Sequence, residues 1–206
     1  MFKIENPIIN NISEILYNDI KNKEKFEEYS FKDETINLND YISINSCKFD
    51  KIIFNKVNIS DGSIDDCLFI NCDLSNITFM NTVFYRVKFI NCKLLGTNFI
   101  DCGLNDVIIE DSICNYINIA GSKVKNMSLK TSNFTCSTLV DCNMKNVEID
   151  DINFKSSEII NTSFKDIDLS TSNIEGIKID SYSLRGSIIN IYQSMDLISL
   201  LGVKIK

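Results

Sequence analysis

The sequence predicts an all-β solenoid, in which the chain winds into stacked square coils, and three features of its 206 residues indicate this fold class. An apolar residue recurs at every fifth position for thirty consecutive repeats. A second row, two residues earlier, carries no charged or carboxamide side chain. The position two residues after the apolar one favours Asp, Asn and Gly, which tight turns select. A five-residue period fits neither a helix nor a simple strand, so the chain must turn at every repeat.

The central apolar row runs from Ile44 to Ile189 without an insertion or deletion. Four five-residue sides close a coil of twenty residues, so residues twenty apart stack into columns. Because stacked strands lie about 4.8 Å apart, thirty repeats give about 7.5 coils and a rod roughly 36 Å tall. Each coil needs its neighbours to bury its central residues.

This pattern resembles the pentapeptide repeat family, whose fold is a right-handed quadrilateral β-helix. The resemblance covers residues 42–191 and implies that fold for them. In the family, Ala is usual two residues before the centre, whereas this chain has mostly Cys, Ser, Thr, Val and Ile there. We therefore expect a pentapeptide repeat β-helix of thirty repeats over 42–191. Residues 1–41 are expected to form an N-terminal helix and cap, and residues 192–206 a C-terminal helix and strand cap.

Residues 11–29 predict a helix that Asn11 or Ser13 can cap. Four apolar side chains would share one face of this helix: Ile12, Ile15, Leu16 and Ile20. Solenoids need terminal caps because an end coil exposes its core, so we interpret the helix as a cap. A partner-binding helix is the alternative. Residues 30–41 lack the five-residue register and are expected to form an irregular or partial first coil.

The C-terminal residues break the repeat and predict a short helix. Leu197, Leu200 and Leu201 mark its apolar face, and Gly202 suits its C-cap. Val203 and Ile205 then alternate like a short strand. An apolar helix of this kind can also pack against its own copy across a twofold axis.

This tail is similar to the ending of the Qnr-type quinolone-resistance proteins, a branch of the pentapeptide repeat family. The matching residues are Tyr192, Gln193, Leu197, Leu201, Gly202, Val203 and Ile205. Residues 69–75 also resemble the N-terminal repeats of that branch. The resemblance implies a homodimer through the tail, with these interface residues: Tyr192, Leu197, Leu200, Leu201, Val203 and Ile205.

The same resemblance implies a function. In that branch the dimer is held to mimic duplex DNA, to bind DNA gyrase or topoisomerase IV, and to protect them from quinolones. Two features depart from the branch: no loop interrupts the coils, and residues 42–191 carry eighteen acidic against fourteen basic side chains, a weak excess. The alternatives are a structural or protein-interaction rod with an unrelated partner, and self-immunity to a DNA-targeting natural product.

Two adjacent outward columns supply the candidate partner-binding face. The first column is apolar: Met80, Ile100, Ala120, Val140 and Ile160. An exposed apolar stripe often marks an interface, although β-branched residues are also ordinary on a sheet surface. The second column holds three carboxylates, which are Asp61, Asp101 and Asp141. Asn81 and Asn161 occupy other positions of the same column. DNA carries about one charge per 1.7 Å, so mimicry would need more, and one corner away lie Asp66, Asp106 and Asp166.

A further column is basic and holds Lys125, Lys145, Lys165 and Arg185. Glu148 and Asp168 follow two of these residues by three positions, where they could screen the positive charge.

The composition excludes the familiar active sites. The chain has no His, which removes Ser-His-Asp triads, Cys-His dyads and His-ligated metals. We expect no enzyme activity, no catalytic residues, no cofactor and no metal. Six of the eight Cys lie in the inward row, where small buried hydrophobes with free thiols are the main interpretation and a metal or redox ladder the alternative: Cys47, Cys67, Cys72, Cys92, Cys102 and Cys142.

Charge and hydropathy indicate the partner class and the compartment. A net charge of −7 disfavours direct nucleic-acid binding, because neutralising phosphates requires surplus Lys and Arg. No apolar stretch approaches the about 18 residues of a membrane span, and the first residues lack the pattern of a signal peptide. We therefore expect a cytoplasmic protein that does not bind membranes.

Overall fold

The computed structural model describes residues 2–38, 40–55 and 58–198. Their helices are α1 (Tyr17–Ile20), α2 (Ser181–Leu184) and α3 (Gln193–Ile198). Their strands are β1 (Ser13–Glu14), β2 (Lys25–Glu27), β3 (Tyr29–Lys32), β4 (Thr35–Asn37), β5 (Ser43–Asn45), β6 (Lys48–Asp50), β7 (Ile53–Asn55), β8 (Asn58–Ser60), β9 (Ser63–Ile70), β10 (Thr78–Met80), β11 (Val83–Ile90), β12 (Asn98–Ile100), β13 (Gly103–Glu110), β14 (Asn118–Ala120), β15 (Lys123–Asn133), β16 (Thr138–Val140), β17 (Asn143–Asn153), β18 (Glu158–Ile160) and β19 (Lys178–Ile179). Among the described helices, none is long and apolar enough to cross a membrane.

The strands pair in parallel between successive coils. A ten-stranded sheet follows the order β1-β3-β6-β9-β11-β13-β15-β17, with β2 and β5 joined to β9. A seven-stranded sheet follows β19-β18-β16-β14-β12-β10-β8, and β4 pairs with β7. From β5 onward, paired residues are twenty apart, as Phe69 with Phe89 and Phe79 with Phe99. The solenoid predicted from the five-residue period is therefore confirmed.

The central row forms the core along the whole rod. Its residues are buried except Met144, Leu184 and Ile189, which are partly buried. Phenylalanine rings stack from coil to coil, with centroids 4.8 Å apart for Phe49 and Phe69 and 4.9 Å for Phe69 and Phe89. Repetition of one apolar residue per side thus builds a continuous core that no single coil could enclose.

Most of the inward row is buried, and its polar side chains bond to the backbone. Tyr182 is exposed, Ser187 is half-buried, and Val57 lies outside the described residues. The Ser112 hydroxyl accepts the Cys92 N–H at 3.0 Å, and the Thr97 hydroxyl donates to the Leu74 carbonyl at 2.8 Å. Small hydroxyl side chains therefore serve in the core because each finds a partner there. All eight cysteines are free, and the six in this row are buried, so the packing interpretation is confirmed.

The N-terminal region differs from the prediction. Of residues 11–29, only α1 is helical, and β1, β2 and part of β3 occupy much of the rest. Strands β2 and β3 pair with β5 and β6, so inter-coil hydrogen bonds outweigh the helical pattern. Leu16, expected on the apolar face, is 62% exposed, while Tyr17 and Ile20 pack on the core.

The first coil is more regular than expected for residues 30–41. Phe26, Phe31 and Ile36 are buried and five residues apart, and they lie beside Ile44, Phe49 and Phe54 in the next coil. The offset is eighteen residues rather than twenty. The repeat therefore continues toward the N-terminus in a shifted frame, which a search at constant spacing misses.

The last coil ends in two short helices. Helix α2 shifts the register, so that Tyr182 is exposed and Ser183 is buried in its place. In α3, the buried Gln193 side chain donates to the Leu169 and Ser172 carbonyls, each at 2.7 Å. Gln193 thereby satisfies backbone acceptors that the next coil would otherwise bond.

Candidate partner-binding face

The apolar column lies on the outer side of the seven-stranded sheet. Met80, Ile100, Ala120, Val140 and Ile160 pair in register across β10, β12, β14, β16 and β18. In each of these strands the middle residue is buried and the two flanking residues face outward. Met80 is the most open of the five at 40% exposure, and the others are half-buried. The column is therefore one residue wide and continuous over five coils.

The neighbouring corner, which we call the acidic corner, carries Asp61, Asp101 and Asp141. All three are exposed, and all adopt left-handed backbone angles, with φ of 57°, 53° and 55°. The Asp141 carboxylate accepts a hydrogen bond from the Asn161 side chain at 2.6 Å. The apolar column and the acidic corner together form what we call the binding face.

Gly121 occupies the acidic corner between Asp101 and Asp141. Its φ is +63°, and a Cβ placed there would lie 2.2 Å from the Asp101 Oδ1 atom. The Asp101 carboxylate thus occupies the space above a glycine that the turn also requires. The missing side chain at Gly121 leaves room for this carboxylate, a feature that was not predicted from the sequence.

The turn itself accounts for part of the residue choice. Asn81 and Asn161 occupy the same corner with φ of 48° and 49°. Asp and Asn both tolerate this conformation better than most residues. What distinguishes the three Asp residues is therefore their charge, which Asn would lack.

A second corner carries the other three carboxylates that could extend the acidic array. The Asp66 carboxylate is buried and forms two 2.6 Å hydrogen bonds with the Arg86 guanidinium. It also accepts the Ile8 N–H at 2.8 Å. Burial raises the pKa of Asp66, but these hydrogen bonds and the charge of Arg86 outweigh it and hold that pKa below its ordinary value.

Residues 2–10, which we call the N-terminal strap, lie along this second corner. The Glu5 N–H donates to Asp106 Oδ1 at 3.1 Å, and the Glu5 carboxylate lies 3.6 Å from the Arg86 guanidinium. Farther along, Phe2 lines the cavities between the later coils. Of the three carboxylates, Asp66 and Asp106 are therefore covered, and only Asp166 is exposed.

These contacts were not predicted from the sequence. Asp66 and Arg86 are twenty residues apart, so column stacking was a signal for their pairing. The strap gives no such signal, because Ile8 and Glu5 bond carboxylates 58 and 101 residues away.

The predicted tail interface is partly within the described residues. Tyr192 is 76% exposed, whereas Leu197 is buried against the last coil. The remaining interface residues lie outside the described residues: Leu200, Leu201, Val203 and Ile205.

Two of the buried thiols, those of Cys47 and Cys102, are poorly suited to chemistry. Burial raises the pKa of the Cys47 and Cys102 thiols to about 11, so both are neutral near pH 7. A neutral thiol is a weak nucleophile and a weak metal ligand. In residues 2–38, 40–55 and 58–198, no three His, Cys, Asp or Glu side chains are grouped so as to hold a metal ion.

Comparison with known proteins shows which family model the repeat matches. Residues 62–135 match the family model described as "Pentapeptide repeat region". These residues are a pentapeptide repeat region. Together with the parallel coils on either side of them, they make the rod a pentapeptide repeat β-helix. No curated protein sequence matches the chain.

Solved pentapeptide repeat structures resemble the rod at low sequence identity. A trypsin-treated variant of QnrB1, described as a plasmid-mediated fluoroquinolone resistance protein, is 17% identical over 88% of this chain and 90% of its own, with a TM-score of 0.43. HetL from Nostoc sp. strain PCC 7120, described as involved in heterocyst differentiation regulation, is 11% identical over 84% and 93%, with a TM-score of 0.34. At such values the likeness gives no argument for either role.

Proposed function

We propose that this protein is a non-catalytic rod that binds a type II topoisomerase, DNA gyrase or topoisomerase IV, through the binding face. By taking the place of duplex DNA it would protect the enzyme from quinolones. The observation that carries the proposal is the acidic corner, where exposed carboxylates project at a fixed spacing beside a continuous apolar column.

The spacing of the carboxylates supports the proposal. Asp61, Asp101 and Asp141 lie two coils apart, which is about 9.6 Å at the usual strand spacing. Along one strand of duplex DNA, phosphates rise about 3.4 Å each, so three of them rise about 10.2 Å. The corner therefore offers one negative charge near every third phosphate position of one strand.

The sequence of the C-terminal tail also supports the proposal. Its similarity to the Qnr-type ending supports a homodimer, and a twofold axis would place two acidic corners on one elongated particle. A longer acidic edge would compensate for the sparse charge on each rod.

A DNA supercoiling assay with gyrase and ciprofloxacin tests the proposal. The wild-type protein should restore supercoiling in the presence of the drug at micromolar concentration or below. The Asp101→Asn/Asp141→Asn variant should require at least about tenfold more protein, because it lacks two charges of the array, a loss of about 1.4 kcal/mol in binding. Absence of protection by the wild type at any concentration up to micromolar would refute the proposal.

The chain offers a matched control for this variant. Asp111 and Asp151 are also exposed, also two coils apart and also left-handed, with φ of 52° at both. They lie on a different corner from the binding face. Asp111→Asn/Asp151→Asn removes the same charge with the same geometry and should protect as well as the wild type.

A second candidate function is a protein-interaction rod with an unrelated partner. The apolar column favours it, since the column continues through Ala120, where the acidic corner carries only Gly121. The wild-type protein would then capture a partner from host lysate, and the captured proteins would include no gyrase or topoisomerase IV subunit. The Val140→Lys variant would not capture this partner.

A further inference from the structure

We propose that a different face of the rod, carrying the basic column, binds an acidic helix of a partner protein. This basic face consists of Lys123, Lys125, Lys145, Lys165 and Arg185, which lie between the acidic corner and the second corner. All five side chains are exposed. The inference does not depend on the topoisomerase proposal, because it concerns other residues on another face.

The cations of this face lack the carboxylate partners that several cations elsewhere on the rod have. Lys88 pairs with Glu110 at 2.8 Å, and Lys155 pairs with Glu175 at 2.8 Å. Within residues 2–38, 40–55 and 58–198, none of the five basic-face side chains has a nitrogen within 4.0 Å of a carboxylate oxygen. Glu148 and Asp168, the expected screening residues, form no ion pair with the column.

The fold stacks these unpaired charges directly on one another. Lys125 and Lys145 are partners in the β15–β17 register. The Asp166 N–H donates to the Gly186 carbonyl at 2.9 Å, which places Lys165 next to Arg185. Like charges facing each other across strands are destabilising, so the array gains most from a ligand that supplies anions in a row.

The edges of the face restrict the kind of anion. The strip is bordered by exposed carboxylates on both sides, Asp141 at one corner and Asp166 at the other. These edges repel a broad polyanion such as duplex DNA, and the net charge of −7 adds to the repulsion. A narrow acidic ridge can lie between them.

The spacing selects a helix among narrow acidic ligands. The cations rise about 4.8 Å per coil. Carboxylates one helical turn apart rise about 5.4 Å. Alternate residues of an extended segment rise about 6.6 Å, a poorer match.

A cavity beside the column completes the site. It measures about 430 Å³ and is lined by Lys145 and Lys165, by Phe2 of the strap, and by Met144. Met144 is one of the few central residues that the coils leave partly exposed. The cavity can therefore hold an apolar side chain of the helix while the lysines bind its carboxylates.

Fluorescence anisotropy with two synthetic peptides tests the inference. Both are Ala-rich helices of one composition; in the ridge peptide the Glu residues line one face beside a single Leu, and in the scattered peptide they surround the helix. The ridge peptide should bind the wild-type chain at least about tenfold more tightly at low salt, and this affinity should fall as salt screens it. Equal affinity of the two peptides would overturn the inference.

Variants locate the site. Lys145→Glu/Lys165→Glu should weaken binding of the ridge peptide at least about tenfold, since both charges become repulsive. Lys93→Glu/Lys178→Glu changes the net charge equally on other faces and should bind like the wild type. If the first variant is misfolded by circular dichroism, Lys145→Gln/Lys165→Gln replaces it. Equal loss in the control, or tighter binding of a 20-base-pair DNA duplex than of the ridge peptide, would overturn the inference.

Discussion

Two corners of the rod carry carboxylates at the same left-handed turn position and differ in what covers them. At the acidic corner, Asp101 and Asp141 face solvent. At the second corner, Asp66 and Asp106 are 7% and 6% exposed and bind the strap. Turn geometry therefore selects Asp at both corners, and the neighbouring groups decide whether the charge is presented to a partner or used as an anchor.

The physical reason is the cost of burying a charge. A covered carboxylate is tolerated only when hydrogen bonds, an opposite charge or both replace its water. Arg86 provides both for Asp66, through its two hydrogen bonds. The acidic corner has no cation within ion-pair distance among the described residues, so its carboxylates rely on solvent and, at Asp141, on the Asn161 amide.

Removal of Arg86 should have the largest effect on the stability of the second corner. Arg86→Ala leaves the Asp66 carboxylate buried without its ion pair and should lower the free energy of unfolding by about 3 kcal/mol. Urea denaturation measures the change. Lys155→Ala breaks an ion pair whose side chains are 47% and 60% exposed, and should cost less than about 0.5 kcal/mol. Equal effects would mean that burial of the Asp66 pair adds nothing.

The effect of Arg86→Ala on the free energy of unfolding should depend on pH. The pKa of Asp66 lies below its ordinary value of 3.8, so its contribution is fully present above that pH and is lost as the pH falls through the folded-state pKa. The difference in unfolding free energy between wild type and Arg86→Ala should be constant near neutrality and should shrink once the pH falls below that ordinary value. A difference that grows on acidification would contradict the assignment.

Deletion of residues 2–8 should uncover the Asp66 and Asp106 carboxylates of the second corner. Loss of the hydrogen bonds to Asp66 and Asp106 should lower the free energy of unfolding by about 2 kcal/mol. The loss is smaller than for the Arg86 variant, because the deletion also removes the entropic cost of ordering the segment. Carbodiimide labelling read by mass spectrometry should then increase at Asp66 and Asp106. Labelling at Asp101 and Asp141 should not change, and an increase there would indicate a general loosening of the coils instead.

Gly121→Ala should disturb the acidic corner alone. A Cβ at this left-handed position costs about 1 kcal/mol, and displacing the Asp101 carboxylate should raise the loss to about 1.5 kcal/mol. Gly176→Ala is the control, because φ there is +67° but the nearest atom is 3.5 Å away. Thermal denaturation of both variants should show the larger loss at Gly121, and equal losses would mean that the glycine does not position Asp101.

The repeating parts of this molecule could be predicted from the sequence. A constant spacing identifies the core row, the columns and the corners, because each follows from the position of a residue within a twenty-residue coil. It missed the first coil at Phe26, Phe31 and Ile36, where the frame is shifted by two residues. It also missed the strap, since Ile8 meets Asp66 through the closed fold and no periodic pattern joins them.

The smallest effect on stability is expected from removing the charges of the acidic corner. Asp101→Asn/Asp141→Asn should change the free energy of unfolding by less than about 0.5 kcal/mol, because Asn already occupies this turn at Asn81 and the exposed charges have no ion-pair partner to lose. Asp66→Asn is the same exchange in the same turn conformation, but it removes the charge that Arg86 binds and should cost about 2 kcal/mol. Urea denaturation at pH 7 compares them directly. Similar costs at both corners would mean that the turn alone determines the role of these residues, whereas a cost confined to Asp66 leaves the charge of the acidic corner free for a partner.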